Sequence, residues 1–187
     1  SIVITKHTAT IGGKKIKYTV TTGTMVLKEE SEKKGDKAGE SEGEKPKASI
    51  FFIAYTRDDV KNPRTRPLSF AFNGGPGSSA QWLQMGAFGP KRVVVPSAPN
   101  DAGAPPYPIV DNPSSTLDVA DLVFIDPIGT GYSRPLGAKE AKEYWGLLGD
   151  ARSVVDFIHT WLSENRRWNS PRYLIGESYG TTRACLV

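Results

Sequence analysis

The stretch YLIGESYGTTRACLV, Tyr173 to Val187, decides how the rest of the chain is read. Tyr173, Leu174 and Ile175 form a short apolar run of the kind that makes a buried strand. Gly176-Glu177-Ser178-Tyr179-Gly180 follows, with a glycine on each side of the serine, so the backbone is free to turn where side chains would collide. The residues after it suit a helix, whose first amides would point toward Ser178. Such a turn lifts a serine hydroxyl clear of a sheet, as a nucleophile requires. From this pattern alone an ordinary Gly-Ser turn remains the alternative.

Working outward, Tyr144, Leu147, Leu148, Ala151, Val154, Val155, Ile158, Trp161 and Leu162 recur at helical spacing. They predict a helix over 139–165, with Trp145 and Trp161 on its core face, ended by Asn169-Ser170-Pro171. Helix, loop, buried strand, glycine turn and new helix make a βα unit of a parallel sheet. Asp121 to Pro127 (DLVFIDP) reads as a second buried parallel strand. Strands are also expected over Ser49–Thr56 and Pro67–Asn73, with a short one over Arg92–Val95 and a strand or hairpin arm over Lys14–Glu29. The proline-rich passage from Pro96 to Pro113 is expected to be loop, because so many amide donors are missing. Lys28 to Lys47 holds six lysines and seven acidic residues and no large apolar residue. It has too little to bury and is expected to be a solvated, mobile loop.

The 187 residues suffice for one core, and a 38% apolar, 24% charged composition is that of a globular protein. The net charge of +4 is scattered among acidic neighbours, which argues against a nucleic-acid partner. No apolar run is long enough to span a bilayer. Cys185, the single cysteine, can form no disulfide within the chain and is expected to be a buried structural residue. His7 and His159 are too isolated to suggest a metal site, and His159 reads as a flanking helix residue. No metal or cofactor is implied.

Two further glycine-rich stretches also follow apolar strands. FNGGPGSSAQW, Phe72 to Trp82, offers backbone N–H groups unobstructed by side chains, as an oxyanion site needs. Pro76 and the lack of a Gly-Lys-Ser/Thr ending argue against a phosphate loop. DPIGTGYSRP, Asp126 to Pro135, places Gly129 and Gly131 where a sharp turn is possible.

Together the three stretches resemble the serine carboxypeptidase family, in the order Asn-Gly-Gly-Pro-Gly-Ser-Ser, Asp-Pro-Ile-Gly-Thr-Gly-Tyr-Ser and Gly-Glu-Ser-Tyr. The resemblance covers at least residues 49–187. It implies an α/β-hydrolase fold, of which this chain would be the N-terminal part only. It also implies a serine-type carboxypeptidase that releases C-terminal residues from peptides through an acyl-enzyme. Ser178 would be the nucleophile, the backbone N–H groups of Gly75 and Tyr179 the oxyanion hole. Asn73, Gly74 and Glu177 would bind the substrate's free carboxylate. Two carboxyl groups side by side repel unless one is protonated, so such an enzyme should favour acidic conditions. The resemblance further implies an extracytoplasmic location.

Three departures qualify it. Ser78 stands where the family usually has cysteine, which suggests a bacterial-type member. Gly180 replaces a common alanine. Ala87 occupies the position of a second carboxylate-binding acid, which leaves room for a related acyltransferase or esterase, or for an inactive binding module. The triad Asp and His of this fold follow the serine in sequence. Here both histidines precede it, so the chain is expected to need a C-terminal portion of the same enzyme as partner and to be inactive alone. Its sheet edge is expected to invite association.

Overall fold

A computed structural model describes all residues except 33–38, 97–99, 102 and 138–140. Its strands are β1 (Ile2–Ile11), β2 (Lys14–Glu32), β3 (Ser41–Arg57), β4 (Leu68–Phe72), β5 (Lys91–Val93), β6 (Ile109–Asp111), β7 (Asp121–Ile125), β8 (Arg134–Pro135) and β9 (Arg172–Gly176). The helices are α1 (Gln81–Leu83), which runs into a π-helical turn over Gln84–Phe88, α2 (Leu147–Glu164) and α3 (Tyr179–Leu186). The main sheet runs β1-β2-β3-β7-β4-β9, with β8 added to β3. β1, β2, β3 and β7 pair antiparallel, whereas β7, β4 and β9 are parallel.

The continuous apolar runs are explained by burial on both faces. Alternation sends Phe70, Phe72, Val123 and Ile125 to one face, where Val154, Phe157 and Trp161 of α2 cover them. Ala71, Leu122 and Phe124 go to the other, against Ile11, Tyr18, Tyr55, Leu83 and Leu117. Trp161 packs edge-on to Phe70, with ring centroids 5.8 Å apart. Burying one such side chain is worth about 1.5–3 kcal/mol, so α2 is held chiefly by its apolar face.

Several expectations are corrected. The charged segment is not a loop over its whole length: β2 continues to Glu32 and β3 begins at Ser41, forming the far end of one long hairpin. The ladder satisfies the backbone there without apolar burial, and charge helps it. Glu29 lies opposite Lys45, Lys28 pairs with Glu44 at 3.5 Å, and Ser41 donates to Glu30 at 3.1 Å. Between β2 and β3, Gly39 and Glu40 form a turn and a bend, and 33–38 of the expected loop lie outside the described residues.

The predicted helix starts late, at Leu147, after a 3₁₀ turn over Ala141–Tyr144. Trp145 therefore precedes the helix and is exposed rather than core. Within the proline-rich passage, Ile109–Asp111 pairs with Lys91–Val93, since the amides of Val110 and its neighbours are free to bond. Cys185 is exposed because α3 turns Gly180 and Arg183 inward instead. β1, for which no strand was expected, forms the edge beside β2.

Candidate active site

Register brings the glycine loop and the elbow together. β4 and β9 are adjacent and parallel, with Phe72 opposite Gly176. The residues that follow, Asn73-Gly74 and Glu177-Ser178, therefore emerge side by side. β7 lies on the other side of β4 and delivers Asp126 to the same edge. This is the carboxyl end of parallel strands, where open α/β sheets place their sites.

Ser178 is exposed at the tip of the turn, with φ 55° and ψ −123°. A non-glycine residue held there is strained by roughly 1–3 kcal/mol, which the surrounding structure must over-determine. Bonds from Gly180 N to Glu177 O (2.8 Å) and from Thr181 N and Oγ1 to Ser178 O (2.9 and 2.7 Å) do so. The flanking glycines are sterically required: a Cβ on Gly176 would collide with the carbonyl of Gly180. Gly74 is packed so closely that a Cβ there would lie 2.5 Å from Tyr179 N and 2.6 Å from Gly180 N. Tyr179 is the first residue of α3, and its N–H has no partner within the helix.

Asn73 is buried, and its two amide atoms work in opposite directions. Nδ2 donates to Glu177 Oε2 at 3.3 Å, while Oδ1 accepts from Leu83 N at 3.1 Å. The structure thus brings Asn73, Gly74, Gly75, Glu177, Ser178 and Tyr179 to one edge. Ala87 lies exposed in the π-helical turn, and its carbonyl accepts from Asn112 Nδ2 at 2.7 Å.

The third glycine stretch supports the first. Asp126 is buried, and accepts from Ala80 N at 2.9 Å and from Tyr132 N at 3.3 Å. It ties the end of the glycine loop to the turn over Gly129–Ser133. Burial pushes its carboxyl above the usual range, partly offset by those two N–H donors.

Sequence reasoning missed two residues. Arg183 and Asp150 form a buried pair, Nε to Oδ2 at 2.8 Å, beneath the elbow. They line a cleft of about 330 Å³ with Pro76, Gly129, Trp145 and Tyr179. Burial, with the Asp150 charge and hydrogen bond next, raises the Tyr179 hydroxyl above its ordinary value. The spacing of Tyr179 and Arg183 at i and i+4 was the one legible signal; the partnership with Asp150 depends on the packing of α2 on α3.

Neither histidine joins these residues. His7 stacks on Tyr18 and bonds Thr5 Oγ1 at 2.8 Å. His159 packs on Trp168 and lies nine residues beyond Asp150, about 13 Å along α2 at 1.5 Å per residue.

The mixed sheet, the covering helix and the serine at the end of β9 define an α/β-hydrolase fold. The family described as serine carboxypeptidase matches residues 37–182, and the chain belongs to that family. The crystal structure of Kex1(delta)p, a prohormone-processing carboxypeptidase from Saccharomyces cerevisiae, superposes with a TM-score of 0.60 at 27% identity. The match covers 86% of this chain and 31% of that one. Serine carboxypeptidase-like 8 from Arabidopsis thaliana is 28% identical over 70% of this chain, which spans 29% of its length. Serine carboxypeptidase 24 from the same plant is 31% identical over 69% of this chain and 26% of its own. These relatives are from a plant and a yeast, so the bacterial-type expectation drawn from Ser78 finds no support among them. No helix among the described residues is long and apolar enough to cross a membrane.

Proposed function

We propose that this chain carries the nucleophile-bearing part of a serine-type carboxypeptidase. The observation that carries the reading is Ser178, held at positive φ between β9 and α3, with Gly74 packed against the backbone of the next two residues. Ser178 Oγ attacks the carbonyl of a peptide's C-terminal bond and passes its proton to a base. The N–H groups of Gly75 and Tyr179 stabilise the developing oxyanion, the amine leaves with a proton, and water releases the acyl group. Asn73, Gly74 and Glu177 hold the free carboxylate of the substrate. The base and its acid come from sequence outside these 187 residues, and the enzyme acts in an extracytoplasmic compartment.

The test is hydrolysis of blocked dipeptides by the complete enzyme and its Ser178→Ala variant. Removing the nucleophile should lower kcat by about 10⁶-fold, the scale at which triad serines act. A blocked dipeptide cleaved equally well by Ser178→Ala would sink the reading. Glu177→Gln should also alter KM for peptides with a free C-terminal carboxylate more than for their amides; equal KM changes for both would remove Glu177 from carboxylate recognition.

Exposed Ala87 favours a second reading, because its methyl group supplies no acid to the carboxylate site. An acyltransferase or esterase would then use the same elbow. Simple esters and peptide amides cleaved faster than free dipeptides would select it.

A further inference from the structure

We propose that Arg183, held by Asp150, is a positioning residue for the oxyanion hole, an inference that rests on the hydrolase reading above. Arg183 is 2% exposed and Asp150 6%, and a guanidinium so far from water is tolerable only when paired. Asp150, in the first turn of α2, accepts from Arg183 Nε at 2.8 Å. Arg183 Nη1 donates to the carbonyl of Asn73, also at 2.8 Å. The guanidinium lies 5.2 Å from the ring centre of Phe72 and 5.1 Å from that of Tyr179.

One planar cation therefore grips three elements: the end of β4 through Phe72 and Asn73, the start of α3 through Tyr179, and α2 through Asp150. Those contacts fall next to both oxyanion donors. Fixing the Asn73 carbonyl sets the peptide from which Gly74-Gly75 departs, and Tyr179 carries the second donor itself. Catalytic hydrogen bonds lose much of their value when misplaced by about 1 Å, and here one side chain bridges the two segments just beyond their last paired residues, Phe72 and Gly176. Arg183 touches no reacting atom, so it acts through the backbone it holds. Lysine at this position would answer the Asp150 charge. It has no plane to lie between two rings and no fork to bond carboxylate and carbonyl together.

The test uses the complete enzyme, its Arg183→Lys variant, and a double variant, Asp150→Asn with Arg183→Gln, which removes both charges should the single change fail to fold. In each variant the amides of Ser78, Gly180 and Thr181, which bond the carbonyls of Gly74, Glu177 and Ser178 within the two turns, should exchange hydrogen about tenfold faster, while those of Phe52 and Tyr55 in β3 stay as they are. For a blocked dipeptide, kcat per folded molecule should fall about 100-fold with KM within about threefold. Affinity for a peptide boronate should fall in step with kcat, and affinity for the product amino acid should not. Faster exchange throughout the sheet, no change at the three amides, or unaltered kcat would each overturn the proposal. A wild-type enzyme without Ser178-dependent hydrolysis is a different result, and it would end the hydrolase reading first.

Discussion

The parallel strands carry a buried arginine–aspartate arrangement at each end, and the two ends use it differently. At the amino end, Asp121 accepts from Arg57 N at 3.0 Å, Arg66 Nε at 3.0 Å and Arg167 Nη1 at 2.7 Å. The guanidinium groups finish on the carbonyls of Leu117 and Arg66 and on Ser170 Oγ. Every group gripped there belongs to a segment entering or flanking a strand, so the network is a lock on the sheet. At the carboxyl end, Arg183 and Asp150 grip the Asn73 carbonyl, one residue before the glycine loop. Burial and charge pairing are common to both, and do not by themselves mark a functional residue. What separates the two ends is the task of the backbone that each holds.

The sharpest way to break this contrast is Asp121→Ala. It leaves the Arg66 and Arg167 guanidiniums without their carboxylate and should remove about 3–5 kcal/mol of stability in urea unfolding. Turnover per folded molecule should hardly change; a loss comparable to that of Arg183→Lys would erase the distinction. Gly74→Ala works from the opposite end. The new methyl would strike the amides of Tyr179 and Gly180. Displacing a proposed oxyanion donor should lower kcat by about 100-fold, near 3 kcal/mol, in steady-state assays of the complete enzyme.

Asp126 joins the two glycine stretches and gives a pH test. Its folded value is raised by burial above the ordinary 3.8. Its stabilising contribution is therefore fully present below 3.8 and is lost as pH rises through the raised value. Wild type should gain stability relative to Asp126→Asn as pH falls from 7 toward 4, read from urea midpoints. A constant difference would mean that Asp126 does not titrate differently on folding. The smallest effect belongs to the charged hairpin end, where Lys28 and Glu44 are more than half exposed. Glu44→Ala should change stability by about 0.2–1 kcal/mol, and added salt should shrink even that. A larger loss would give the arm a structural weight that its exposed pairs do not suggest.

Legibility followed the range of the interactions. β4, β7 and β9 were visible because Leu68–Phe72, Asp121–Ile125 and the run before Gly176 are short apolar stretches ended by glycine or proline turns. The elbow was visible because its constraint is steric and local. Asn73 beside Glu177 came only through the family resemblance, since more than a hundred residues separate them in sequence. The pairing of Lys28–Glu32 with Ser41–Pro46 was hidden because its backbone bonds join residues that share no apolar pattern. Trp145 misled because helical spacing continues past the point where the helix begins.

By itself, then, the sequence determined the turns and the buried strands: glycine placement and apolar runs act within a few residues, where sterics and burial leave little choice. Only the tertiary structure decided which of those turns share an edge, because β4 pairs with both β7 and β9 across long separations. It alone decided that Arg183 meets Asp150 and Asn73. A guanidinium on a helix can turn to solvent or to protein, and its partners here are set by how α2 and α3 pack on the sheet.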